Sequence, residues 1–223
     1  MPHVERILRD SRALEQAIAD HRPEERRILR IGSYTSISRN WLPPVLKGFG
    51  AQFPDVQLTV KDGSCMDIEQ WLMEGTIDVG LLSNCFSAPL EFLPLLQDPY
   101  YAVLPPEERP GETFDISAFN GRTFFIPSKG VDTEVLRILE RSGVTPRFSL
   151  IATEDSAVIK MVEQGLGCSL LSELILRGNT DHVSLVPIDP PAFREVGAAV
   201  RSLKKVGPVL RSFLHYIRRD AEK

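Results

Sequence analysis

The chain has 223 residues, 43% of them apolar and 25% charged, the composition of an ordinary globular protein long enough for one large domain or two small ones. Its formal charge of −4, from 26 basic and 30 acidic residues, argues against a face that grips a nucleic-acid backbone. No apolar run approaches the roughly 20 residues of a membrane helix, and the charged start MPHVERILRDSR lacks an apolar signal core, so the expected location is cytoplasmic. Three cysteines, Cys65, Cys85 and Cys168, are an odd number and read as reduced thiols rather than a disulfide framework.

Residues 4–20 have helical spacing. Val4, Ile7, Leu14 and Ile18 take a and d positions of a heptad, with Ser11 at the intervening a position. Two readings stand: an amphipathic helix lying on its own domain, or an interdomain helix that pairs with a second copy. Pro23 ends it, and residues 21–27 form a polar connector.

A short apolar strand at residues 29–32 runs into a polar loop of hydroxyls: Ser33, Tyr34, Thr35, Ser36 and Ser38. Trp41, Leu42, Val45, Leu46, Phe49 and Phe53 then share one helical face. Ser38 or Asn40 is placed to cap that helix, and Pro43 and Pro44 are tolerated only in its first turn. Val56, Leu58 and Val60 alternate as a half-buried strand. Ser64, with Asp67 three residues on, opens a second helix that carries Ile68, Trp71 and Leu72 and ends at Gly75. Ile77, Val79 and Leu81 make a third strand closing in Ser83-Asn84-Cys85. Three strand ends, at 33–36, 63–65 and 83–85, are thus predicted to face one crevice. Open α/β sheets take ligands at that edge.

Residues 93–105 read as a strand pair broken at Gln97-Asp98-Pro99, and residues 105–111 as a loop and domain boundary. The pattern then restarts. A strand at 123–126 leads into the polar turn Pro127-Ser128-Lys129-Gly130 and a helix at 132–141, with Gly143 just past its end. A strand at 148–152 is followed by a helix opening at Thr153-Glu154-Asp155-Ser156 and ended by Gly165. Short strands at 169–171, 183–188 and 195–200 precede a last helix from Pro208, with Val209, Leu210, Phe213, Leu214 and Ile217 as its stripe.

Several of these segments resemble the effector-binding domain of LysR-type transcriptional regulators. They are the "RIG" strand, "LPPVLKGF", "FPDVQL", the segment Gly75-Thr76-Ile77-Asp78-Val79-Gly80-Leu81-Leu82, and the run from Val162 to Leu171, VEQGLGCSLL. The resemblance covers roughly residues 4–217 in order. It implies an α/β fold of two Rossmann-like lobes joined by two crossover strands, the type 2 periplasmic-binding-protein-like architecture. Residues 1–27 would be linker helix and connector, 28–104 plus 189–223 lobe I, and 105–188 lobe II. It further implies a small-molecule effector held between the lobes, and a homodimer or homotetramer through the helices at 41–53 and 156–164. DNA would be bound only by an N-terminal winged helix-turn-helix outside this chain, with no membrane partner.

For chemistry, the sequence offers no catalyst. His3, His21, His182 and His215 lack metal-ligand spacing, and there is no P-loop, G-x-S-x-G or G-x-G-x-x-G. No enzyme activity, cofactor or metal is expected. The predicted effector contacts are Ser33, Tyr34, Thr35, Ser36, Ser64 and Ser83 from one lobe and Ser128, Lys129 and Thr153 from the other. Hydroxyls near helix starts suit a small polar ligand, such as a carboxylate, with Arg39 or Lys129 as counter-charge. A thiol-sensing role for Cys65 or Cys85 competes with plain small side chains, since no basic neighbour in sequence would lower either pKa. The alternatives are a solute-binding protein of a transport system, or an enzyme built on the same fold.

Overall fold

The structure, a computed structural model, describes residues 27–126, 133–149, 154–178 and 182–221. The helix expected at 4–20 lies outside them, as do Ser128, Lys129 and Thr153. The chain forms two compact units. One holds the described residues through Leu96 together with those from Glu195; the other is Gln97–Arg194. The chain leaves the first unit and returns to it within two strands, Glu91–Leu104 and Phe193–Val200.

In the first unit, β1 (Arg27–Ser33) is followed by two short helices, α1 (Thr35–Asn40) and α2 (Leu42–Gln52). The polar loop expected at 33–38 is thus largely helical, and no side chain caps α2, whose N-cap is Trp41. The cause is covalent. Pro43 and Pro44 have no N–H to give to the turn before them, and their rings would clash with the carbonyls of Arg39 and Asn40. One helix cannot run through, so the chain stops at Trp41 and restarts. β2 (Val56–Asp62), α3 (Cys65–Glu74) and β3 (Val79–Ser83) complete the βαβ run, and β4 (Glu91–Leu104) leads out.

β1 lies between β2 and β3, parallel to both, with Ser33 opposite Asp62 on one side and Leu81 on the other. Among the described residues β2 is the sheet edge, and Val60, expected to be half-buried, is 40% exposed there. Phe49 of α2 packs under the sheet against Phe53, Phe213 and Tyr216, with ring centroids 4.6, 5.2 and 5.6 Å away. Ile68 and Leu72 of α3 form a separate cluster with Ile77, Leu82 and Ala199.

In the second unit β4 continues as one strand through Gln97-Asp98-Pro99, where a break was expected. Asp98 is 1% exposed and fully engaged: one oxygen accepts from Leu174 N–H at 2.9 Å, the other from Arg194 Nε at 2.8 Å. A buried charge survives only with partners of this kind, so a polar triplet in sequence became strand interior. After β5 (Phe114–Asp115) come β6 (Thr123–Phe125), α4 (Thr133–Arg141), β7 (Arg147–Ser149) and α5 (Asp155–Glu163). Then follow β8 (Ser169–Ser172), α6 (Glu173–Leu176) and β9 (Ser184–Asp189). β4 pairs antiparallel with β8 and β9, and β5 adds parallel to β9. In the core Phe119 packs tilted against Phe114 and edge-to-face against Phe124, with centroids 4.7 and 5.1 Å apart.

β10 (Phe193–Val200) re-enters the first unit and pairs antiparallel with β3, and α7 (Pro208–Ala221) buries Phe213, Leu214 and Ile217. At Gly197 a Cβ would stand 2.3 Å from the Leu93 carbonyl oxygen, so this strand position admits only glycine.

Candidate functional site

The carboxyl ends of β1, β2 and β3 gather at one edge of the first unit, as the alternation of strands and helices predicts. Two backbone bonds tie them. Tyr34 N–H donates to the Leu81 carbonyl at 3.1 Å, and Gly63 N–H to the Ser33 carbonyl at 3.0 Å. Ser33 is fully buried, and its hydroxyl donates to the Tyr34 carbonyl at 3.1 Å. That carbonyl also accepts from Ile37 and Ser38 N–H, so Ser33 helps fix the first turn of α1. The Tyr34 phenol lies 3.3 Å from the buried Ser83 hydroxyl and 2.9 Å from Cys85 Sγ.

Ser33, Tyr34 and Ser83 are therefore brought together, Ser33 through the Tyr34 carbonyl and Ser83 through the Tyr34 phenol, which also reaches Cys85. Thr35 is exposed on α1 and Ser36, beside it, is buried. Ser64 is committed elsewhere. Its hydroxyl accepts from Asp67 N–H at 3.2 Å and lies 2.7 Å from the Asp67 carboxylate, which in turn accepts from Ser64 N–H at 2.9 Å. This capping box, at the start of a helix that ends at Gly75 in left-handed conformation, is a structural use of the residue. Arg39 is exposed in the last turn of α1.

Sequence reasoning missed one feature at this edge. Cys65 and Cys85, read as reduced thiols, are joined by a disulfide across 20 residues of chain. The signal was present: Cys65 begins α3 directly after the Ser64 cap, and Cys85 follows the end of β3 at the same edge of the sheet. An odd cysteine count hid it, because the third, Cys168, is the free one. Cys168 is buried in the second unit, and burial pushes its thiol pKa up to about 11 against the opposing pull of Arg122, which makes it a poor nucleophile. Among the described residues no group of His, Cys, Asp and Glu could hold a metal. A concavity of about 340 Å³ on the same unit, lined by Phe53, Arg211, His215, Tyr216 and Arg219 among others, includes none of the strand-end residues.

The profile of the LysR substrate binding domain matches residues 22–222 of this chain. The chain belongs to that family. Among curated relatives, the uncharacterized HTH-type transcriptional regulator YvbU of Bacillus subtilis (strain 168) is 25% identical over 219 residues, 95% of this chain and 74% of its own length. The probable HTH-type transcriptional regulator LrrA of Synechococcus elongatus is 28% identical over 198 residues, 86% of this chain and 66% of its own length. The chain thus spans two thirds to three quarters of these LysR-type relatives. Among solved structures, the Synechocystis PCC6803 CcmR regulatory domain in complex with 2-PG is similar with a TM-score of 0.80. It is 21% identical, and the match covers 88% of this chain and 98% of that one. The fold is the type 2 periplasmic-binding-protein-like α/β fold of LysR effector-binding domains. The LysR match favours a ligand-sensing domain over the transport solute-binding alternative, and the relatives named here are regulators rather than enzymes.

Proposed function

We propose that the strand-end edge of the first unit binds a small polar effector and that the chain is the sensory part of a LysR-type transcriptional regulator acting in the cytoplasm. The observation that carries the reading is the cluster of the buried Ser33 and Ser83 hydroxyls with the half-buried Tyr34 phenol at the carboxyl ends of parallel strands, the place where α/β sheets take ligands. Ser33 and Ser83 form the buried base of this edge, Tyr34 supplies a phenol, and Thr35 and Ser36 add hydroxyls on α1. Ser128, Lys129 and Thr153 are proposed as further contacts. A carboxylate is the favoured ligand class, and the 2-PG complex of the similar CcmR domain shows that one relative's regulatory domain takes a small molecule. The effector acts by differential affinity for two conformations of a homodimer or homotetramer, which a DNA-binding portion of the whole protein reads.

The test is thermal shift and light scattering of this chain with a panel of small carboxylates. One compound should raise the melting temperature by ligand linkage, and Tyr34→Phe should reduce that rise while the unliganded chain keeps its stability. A rise of equal size in Tyr34→Phe and Ser83→Ala would remove this edge as the site.

A further inference from the structure

We propose that the Cys65–Cys85 pair is a reversible modification site, opened and closed by thiol–disulfide exchange with a small or protein dithiol, which sets how tightly residues 84–90 are held. The proposal does not depend on which effector the domain takes.

The segment after β3 is attached to α3 at two places one helical turn apart. Cys65, the first residue of α3, holds Cys85 covalently. Glu69, four residues on and on the same face, accepts from Ala88 N–H at 2.8 Å and Ser87 N–H at 3.2 Å. One attachment is redox-labile and the other is not. Breaking the first leaves the segment anchored at Ser87 and Ala88 but released at its Cys85 end. The fold does not depend on the bond, because α3 is independently capped by Ser64 and Asp67 and buries Ile68 and Leu72.

The surroundings suit exchange. Both cysteines are half-buried rather than enclosed, unlike Cys168, which is fully buried. The Cys65 sulfur sits at the N-terminus of a ten-residue helix, where the macrodipole favours a thiolate, with the Asp67 carboxylate in the same turn working partly against it. Cys85 Sγ carries no hydrogen in the disulfide, so the Tyr34 hydroxyl at 2.9 Å is the donor, and the same hydroxyl can stabilise a Cys85 thiolate. Both departing sulfurs are therefore supported. A regulator that works on DNA operates in a reducing compartment, where disulfides are usually transient and redox-sensing rather than structural.

The chemistry balances without other reagents. A thiolate of the dithiol attacks Cys85 Sγ, the Cys65–Cys85 bond breaks, and Cys65 leaves as a thiolate at the helix start. The second thiol of the reagent then attacks its own sulfur in the mixed disulfide, closes the reagent's internal disulfide and expels the Cys85 thiolate. Two electrons pass from dithiol to protein, and two protons follow when both cysteines are protonated. A disulfide reagent such as oxidised glutathione runs the sequence backwards.

The experiment is differential alkylation of the folded chain with iodoacetamide, read by peptide mass spectrometry, alongside hydrogen exchange. After equilibration with oxidised glutathione, Cys65 and Cys85 should both resist labelling. After dithiothreitol both should label at unchanged circular dichroism, with Cys168 labelled only on unfolding, and a return to oxidised glutathione should restore protection. Amide exchange in residues 84–90 should quicken on the order of tenfold in the reduced chain. The Cys65→Ser/Cys85→Ser variant should show that faster exchange and ignore dithiothreitol. Labelling that persists in oxidised glutathione, a bond that yields only in denaturant, or identical exchange of residues 84–90 in both states would each overturn the proposal.

Discussion

The buried ion pair of Asp98 and Arg194 lends itself to a double-mutant cycle whose outcome is fixed by its hydrogen bonds. The two side chains are 1% and 5% exposed, and the Asp98 carboxylate holds both Arg194 Nε and Leu174 N–H. Burial works against the Arg194 charge, but Asp98, with Tyr100 and Glu134, outweighs it and keeps the guanidinium pKa above its ordinary value. Asp98→Leu removes the main counter-charge, at about 3–5 kcal/mol, and the acceptor of a backbone amide, at about 1–3 kcal/mol more. Arg194→Met leaves a buried carboxylate with only that amide, again about 3–5 kcal/mol. The double variant has no buried charge left from the pair, so only the Leu174 amide remains to be counted, and the loss should shrink to about 1–3 kcal/mol. Urea unfolding followed by circular dichroism reads this. Circular dichroism reports on both units, whereas the two tryptophans, Trp41 and Trp71, both belong to the first. A double variant as unstable as the sum of the single ones would refute the reasoning and make the two residues independent.

Other perturbations give equally definite expectations. Cys168 keeps its proton in the folded chain up to a pKa of about 11, while an ordinary thiol loses it near 9. Between those values the unfolded chain binds fewer protons, so the contribution is complete below pH 9 and lost as pH rises through 11, about 3 kcal/mol in all. The stability of Cys168→Ala across pH 8–11 should lack that part of the alkaline fall, and parallel curves would refute the assignment. Phe49→Ala empties the junction of Phe53, Phe213 and Tyr216 and should cost about 3–5 kcal/mol in chemical denaturation. Gly197→Ala should lower the melting temperature by several degrees, as its methyl meets the Leu93 carbonyl; an unchanged value would mean β10 and β4 can separate without loss.

The periodicity of apolar residues carried most of the architecture. The β1, β2 and β3 strands, the Ser64–Asp67 cap and the glycine ends of helices at 75, 143 and 165 are written in local residue order, so a linear reading finds them. Apart from the turn before Pro43 and Pro44, those that failed were set by neighbours distant in sequence. Asp98 looked like a loop residue until Arg194, 96 positions away, neutralised it. Tyr34 and Ser83 were both named as site residues, but their meeting depends on strand register. The Cys65–Cys85 bond needed the ends of β2 and β3, which flank β1, to be combined with one helix start, and composition alone pointed the other way. Ser64 shows the opposite failure: a hydroxyl at the right edge whose hydrogen bonds are consumed by its own helix.

The exposed flank of the first sheet has a further consequence. Among the described residues β2 is paired on one side only, and along Val56–Asp62 it offers backbone groups and the apolar Val60 to any extended chain that arrives. Such a border invites strand addition and, at high concentration, clumping. Its last two positions are Lys61 and Asp62, and the Lys61 ammonium lies 3.6 Å from the centre of the Trp71 ring. The aromatic face therefore moors a cation at the rim, where a newcomer would have to strip its water before docking. The lysine acts as a guard on the border, and Trp71 keeps it at its post.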